Sequence, residues 1–322
     1  LFESFQQFSA SFVIMEKFYW ELVIRTNLQM LHSVGLWPKN DEIYKLDLYS
    51  FYAAFSVIII MIGHNFFQLM YVFSVYKNLE ALTEMMVITA TDFLITIKLC
   101  FFLLNMRKVK ELMITLNSVL FQPKSFQLDL IRPHLNIWKK TYIGYWMLVG
   151  SAVVAMVIFP FVDNSFKDHR LPFLTWYPFD ATISPVYEII YIYQVVGVSF
   201  RTVAVVNMDT LIAALMVYIT TQCDILCDNL RNIDKNFYET LFIKCIRHHQ
   251  EVVRFAKSSN NFFNVIILGQ FFSSTTVIAF TLFQLSLVDP LSSAGFSHMS
   301  YISAIVVQVY LYCWFGNEIE LK

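Results

Sequence analysis

The chain has 322 residues, of which 57% are hydrophobic, 17% aromatic and only 15% charged. A soluble domain carries roughly 25% charged and 45–50% apolar residues, so the composition is that of an integral membrane protein. The net charge of −1 leaves no electrostatic footprint for nucleic acid.

In chain order, segment 1–49 comes first. Charges interrupt each of its apolar runs, so nothing there reads as a signal peptide. Six stretches then reach the roughly 20 apolar residues a helix needs to cross a bilayer. They are 50–74, 82–105, 142–163, 186–212, 263–288 and 299–316. Of the 23 Lys and Arg, 18 fall in 1–49, 106–141, 213–262 and the tail after 316, and the opposite loops hold only Lys77, Lys167 and Arg170. The positive-inside bias therefore puts the N-terminus in the cytoplasm. The expected organisation is a cytoplasmic segment 1–49, four spans over 50–212 with an extracellular lid loop 164–185, a cytoplasmic helical region 213–262, two spans over 263–316 and the start of a cytoplasmic loop at 317–322.

The connection 213–262 is not a loose linker. Ile219, Cys223, Leu226, Leu230, Ile233 and Phe237 fall on one helix face, and Leu241, Cys245, His248, Val252, Phe255 and Ser259 continue at similar spacing. The fourth span is thus expected to run on as a helix into the cytoplasm, with a second helix returning to the fifth. Such a pair must bury its stripe against this chain or another subunit.

Ionisable groups inside spans are functional candidates by default. Glu188 and Asp209 are read as snorkelling from the ends of the fourth span, and Lys98 as snorkelling to the cytoplasmic side. Arg201 lies deeper and is either a structural pairing partner or a cavity-lining residue. Cys223, Cys227, Cys245 and His248 have a superficial zinc-ligand spacing, but they sit on apolar helix faces and read as packing residues. No disulfide framework, nucleophile–base set or phosphate loop is present, and no cofactor or enzyme activity is expected.

The outer ends of the spans are rich in aromatics. Tyr187, Tyr191 and Gln194 share one helix face. The stretch LPFLTWYPFD at 171–180 is stiffened by Pro172 and Pro178. Its Trp176, Tyr177 and Phe179 are expected to fold back onto the helix ends as a lid, with Asp180 capping a turn into the fourth span. One such Tyr alone reads as an interfacial belt; the set converging on 171–180 reads as a pocket. The candidate ligand-binding residues are Phe67, Tyr71, Tyr145, Ser151, Trp176, Tyr187, Tyr191 and Gln194; none is catalytic and none binds metal.

Several motifs together resemble the insect odorant receptor family. They are NLQMLHSVGLWP (27–38), LPFLTWYPFD followed by YEIIYIYQ (187–194), DTLIAALMVYITTQCDILCDNLRNI (209–233) and YLYCWFGNEIE (310–320). The resemblance covers about residues 27 to 320 in the family's order, and it is to a ligand-tuning member rather than the co-receptor. It implies an all-α bundle of seven helices with the N-terminus inside, of which this sequence holds six. The seventh, pore-lining helix is absent, and the sequence is expected to be incomplete. The resemblance further implies a tuning subunit that joins the odorant co-receptor in a heterotetrameric, non-selective cation channel. That channel would sit among membrane lipid in the plasma membrane of olfactory neuron dendrites and be gated by a small volatile odorant. A gustatory-type channel subunit is the nearest alternative. A G-protein-coupled receptor has the opposite topology, and no Asp-Arg-Tyr triplet follows the third span. A transporter would need repeats and broken helices that are not seen.

Overall fold

A computed structural model describes residues 18–38, 47–77, 79–162, 169, 171–233, 238–289 and 291–322. Segment 1–17, Lys39, Lys45, residues 163–168 and 170 of the expected lid loop, and Lys235 and Phe237 of the connection lie outside the described residues. Among the described residues all regular structure is helical. The helices are α1 (Arg25–Ser33), α2 (Leu48–Ser56), α3 (Gly63–Val75), α4 (Leu79–Leu104), α5 (Met106–Leu116), α6 (Leu128–Val162), α7 (Val186–Arg231), α8 (Tyr238–Leu287) and α9 (Ser293–Glu320). Six stretches are long and apolar enough to span a membrane. The first is α2 and α3 joined by a π-helical segment, Val57–Ile62, and the other five are α4 and α6 to α9. The lysine- and arginine-rich end is the inner end below.

One helix is the axis of the bundle. In α7, 83% of the most apolar stretch is buried inside the protein, against 11% to 28% in the other five spans. Every residue from Ala204 to Gln222 is buried, the mark of a helix apolar all round and enclosed on every side. The peripheral spans turn large apolar side chains outward instead, such as Ile58, Phe93, Val154 and Phe272, as lipid-facing helices do.

The chain before the first span folds onto the inner part of α7. Asn27 Nδ2 donates to the Asn207 carbonyl at 2.9 Å and to Thr210 Oγ1 at 2.7 Å. Tyr218 Oη donates to the Trp20 carbonyl at 3.1 Å. At the end of α1 the Leu36 N–H reaches the Leu31 carbonyl and the Gly35 N–H the His32 carbonyl, a Schellman closure. Gly35 takes φ +75°, and a Cβ there would lie 2.8 Å from Ala53 Cα, so both the turn and the close approach of α2 require glycine.

Two long helices leave the outer bundle and continue inward. α7 runs unbroken to Arg231 and α8 begins at Tyr238. The α8 stripe of Cys245, His248, Val252, Phe255 and Ser259 is buried. Phe255 packs on Phe121 with ring centroids 5.7 Å apart. His248 Nε2 lies 3.0 Å from Gln222 Oε1, so the stripe is covered by elements of this same chain.

Candidate ligand-binding site

Helices α4, α6, α7, α8 and α9 surround a cavity of about 530 Å³ in the outer half of the bundle. Its walls are mainly aliphatic: Val87 and Ile88 of α4, Val153 and Met156 of α6, Val277 of α8 and Ile305 of α9. Leu171, Pro172 and Phe173 close it from the outer loop.

The roof is held by one amide. Gln194 is fully buried. Its Oε1 accepts from the Phe173 N–H at 3.0 Å, while its Nε2 donates to the Phe173 carbonyl (3.0 Å), Thr175 Oγ1 (2.9 Å) and Tyr177 Oη (3.3 Å). Tyr177 packs on Phe67, centroids 4.9 Å apart, and the Trp176 N–H donates to the Phe67 carbonyl at 3.2 Å. The stretch does fold back, but through Phe173 and Tyr177, which are buried; Trp176 and Phe179 stay 42% and 50% exposed. Asp180 Oδ1 accepts from the Thr182 N–H and hydroxyl, making the expected turn before α7. Those two hydrogen bonds from Thr182 hold its carboxyl below the usual range.

The floor is ionic. Lys98 of α4 and Asp209 of α7 are both almost fully buried and pair at 3.0 Å. Tyr312 Oη donates to Asp209 Oδ1 at 2.5 Å, and Gln308 Nε2 donates to Oδ2. Gln270 Nε2 donates in turn to Gln308 Oε1 at 2.8 Å and to Ser274 Oγ at 2.7 Å. The snorkelling expected of Lys98 and Asp209 is therefore corrected. Neither reaches water, because each charge has its partner inside the protein, which is how a buried ion becomes tolerable. A second pair lies nearer the roof. Arg201 Nε sits 3.2 Å from Asp92 Oδ1, and Gln68 Nε2 donates to Asp92 Oδ2 at 2.9 Å. Arg201 also lines the cavity, so both roles open to it from sequence are filled.

Of the eight residues singled out from sequence, Tyr145 lines this cavity. Gln194 and Phe67 build the seat of the roof. Tyr191 Oη donates to the Val157 carbonyl at 3.0 Å, and Tyr187 is buried and stacks on His169 at 4.8 Å. Tyr71 is half-buried on α3. Ser151 is exposed, its hydroxyl donating to the Leu148 carbonyl, and Trp176 is half-exposed. These seven do not line the cavity. The residues missed are polar groups of α8 and α9, Gln270, Ser274 and Gln308. For the two on α8 a signal was present: Gln270, Ser274, Thr281 and Gln284 are buried and fall on one helix face.

Fold and site together define a multi-pass helical membrane protein enclosing a cavity of about 530 Å³. The family model described as 7tm odorant receptor matches residues 78–322, and the chain belongs to that family, one of receptors rather than enzymes. Odorant receptor 46a (isoform A) of Drosophila melanogaster is 22% identical over 312 residues, covering 94% of this chain and 80% of that protein. Odorant receptor Or1 of Anopheles gambiae is 24% identical over 334 residues, with 91% and 77% covered. The solved structure of the insect olfactory receptor OR5 from Machilis hrabei has the same fold, with a TM-score of 0.80 at 18% identity over 92% of this chain and 79% of that one. The structure of OR5 in complex with eugenol gives 0.78 at 18% identity over the same shares.

Proposed function

We propose that this chain is the ligand-tuning subunit of an odorant-gated, non-selective cation channel. It assembles with the odorant co-receptor as a heterotetramer in the plasma membrane of olfactory neuron dendrites. The observation that carries the reading is the cavity. Its 530 Å³ lies within the roughly 300–1,000 Å³ of small-molecule pockets, and its aliphatic walls with a few placed polar groups suit a small volatile. That a relative of the same fold has been solved with eugenol supports a ligand of this size.

Burying a few hundred Å² of apolar surface at about 25 cal/mol per Å² yields several kcal/mol before ordering costs, which places affinity in the micromolar range. Occupancy alone does not open a channel; the ligand must bind the open arrangement more tightly than the closed one. The test is current recording in oocytes across an odour panel, with and without the co-receptor. Ligand-evoked cation current only with the co-receptor is the expected result. Ala152→Phe, which puts a ring into the cavity wall, should abolish it at normal surface expression. Responses unaltered by that substitution would move the binding site elsewhere.

A further inference from the structure

The polar side chains that border the cavity fall into three groups. Most are committed within the protein. Asp92 pairs with Arg201 and Lys98 with Asp209, Tyr301 and Thr91 meet hydroxyl to hydroxyl at 2.5 Å, and Gln270 holds Ser274 and Gln308. Arg201 Nη1 and Nη2 and Gln270 Oε1 form the second group, enclosed by protein without a partner and closed to a ligand. The third group is open. Thr202, Ser273, Ser297, His298 and Ser300 line the cavity, stay partly exposed and have no hydrogen-bond partner among the described residues. Thr202 and Ser273 stand singly on α7 and α8. The other three fall within one turn near the outer end of α9.

Ser297 occupies the middle of the inward face of that turn. It shares the face with Tyr301, Ala304 and Gln308, spaced 4, 3 and 4 along the helix, and all four line the cavity. The exposed Phe296, Met299, Val306 and Tyr310 lie on the far side, so what is open about Ser297 opens on the cavity. His298 and Ser300 flank it. A serine or threonine inside an apolar helix commonly turns its proton back to a carbonyl three or four residues earlier, as Ser303 does to Met299 and Thr275 to Phe271, both at 2.9 Å. Ser297 and Ser300 make no such bond among the described residues, which leaves both hydroxyls for a group inside the cavity.

We infer that this turn of α9, with Ser297 at its centre and His298 and Ser300 beside it, is the specificity-determining element of the cavity, and that it selects a small apolar alcohol. The inference rests on the cavity being the odorant site. A serine hydroxyl both donates and accepts, and a neutral imidazole does one of each. A ligand hydroxyl matches that mixture by donating and accepting at once. A ketone only accepts, and an alkane does neither. A charged ligand finds no counter-ion, because the cations and carboxylates of the cavity are already paired with one another. The alkyl part of the ligand lies against the aliphatic walls, such as Val153 and Met156 of α6 and Ile305 of α9.

Binding can be read without gating, from the thermal unfolding of the solubilised receptor titrated with a medium-chain primary alcohol and with the ketone and alkane of equal length. The alcohol should stabilise the wild type at free concentrations about tenfold below the alkane, as two neutral hydrogen bonds allow, with the ketone between them. The triple variant Ser297→Ala, His298→Phe, Ser300→Ala removes the open polar atoms of the turn and keeps much of its bulk. It should bring the three titrations together while leaving that of the alkane in place. If the triple variant fails to accumulate, Ser297→Ala, which removes one oxygen, should by itself cut the alcohol's advantage roughly threefold. Equal binding of alcohol and alkane by the wild type, a ketone that binds as well as the alcohol, or an advantage undiminished in the variants would overturn the inference. Ala152→Phe separates the two readings: it should abolish stabilisation by every probe, and probes that bind it unchanged would remove the cavity as the site whatever the α9 turn does. No stabilisation of the wild type by any probe overturns both.

Discussion

Around Tyr218, α7 is gripped on all sides. The ring is fully buried, packs edge-on against Trp20 at 5.3 Å and donates to its carbonyl, and Gln222 one turn on links His248 to the Phe121 carbonyl. About five turns toward the outer end, around Arg201, the same helix faces a cavity and carries donors with nothing to bond. The inner half uses its contacts to hold helices together, while the outer half encloses a cavity.

Substitutions should break this contrast in a definite order. The largest effect belongs to the boundary between the halves. Asp209→Leu strands Lys98 in the interior and should cost about 3–5 kcal/mol, with most of it recovered in the Lys98→Met, Asp209→Leu double variant; thermal unfolding of the three proteins measures this. In the inner half, Phe255→Ala empties a site between Phe121 and its neighbours and should cost about 3–5 kcal/mol. Ala152→Phe at the cavity wall should change unfolding little while ending the ligand response.

A pH titration sharpens the comparison further. Burial, helped by the nearby Lys244 and His249 charges, depresses the His248 imidazole to about 4. A histidine whose folded value lies below its unfolded value of about 6.5 contributes stability that is full above 6.5 and is lost as pH falls toward 4. The loss should be roughly 3 kcal/mol. It should appear as a pH-dependent difference in unfolding temperature between wild type and His248→Gln. A smaller loss than at Asp209, Phe255 or His248 is expected at the roof. Gln194→Leu leaves the Phe173 N–H without its partner and should cost roughly 1–3 kcal/mol, while odorant washout, followed as current decay, quickens.

Much of the frame was legible because its causes are local. Apolar length marks the spans, and a helical period marks the buried face of Cys245, His248, Val252, Phe255 and Ser259. The floor was not legible because its cause is tertiary. Lys98 and Asp209 are 111 positions apart, and each alone, near the end of an apolar run, looks like a side chain reaching for water. Tyr187, Tyr191 and Gln194 were correctly put on one face, but periodicity cannot say what a face meets. For Tyr191 it is a carbonyl of α6 and for Gln194 the loop. The polar stripe of α8 follows the same period as the inner stripe, but its residues carry no charge to set it apart from ordinary packing.

Asp209 has one more consequence, a mechanical one. It belongs to α7 and ties α4 through Lys98 and α9 through Gln308 and Tyr312 to a single carboxylate. A rotation of α9 would take both of its donors from the carboxylate together and leave Lys98 as its side-chain partner among those described. The one carboxylate therefore couples the positions of α4, α7 and α9, so that a displacement of any of them is resisted by its contacts to the other two.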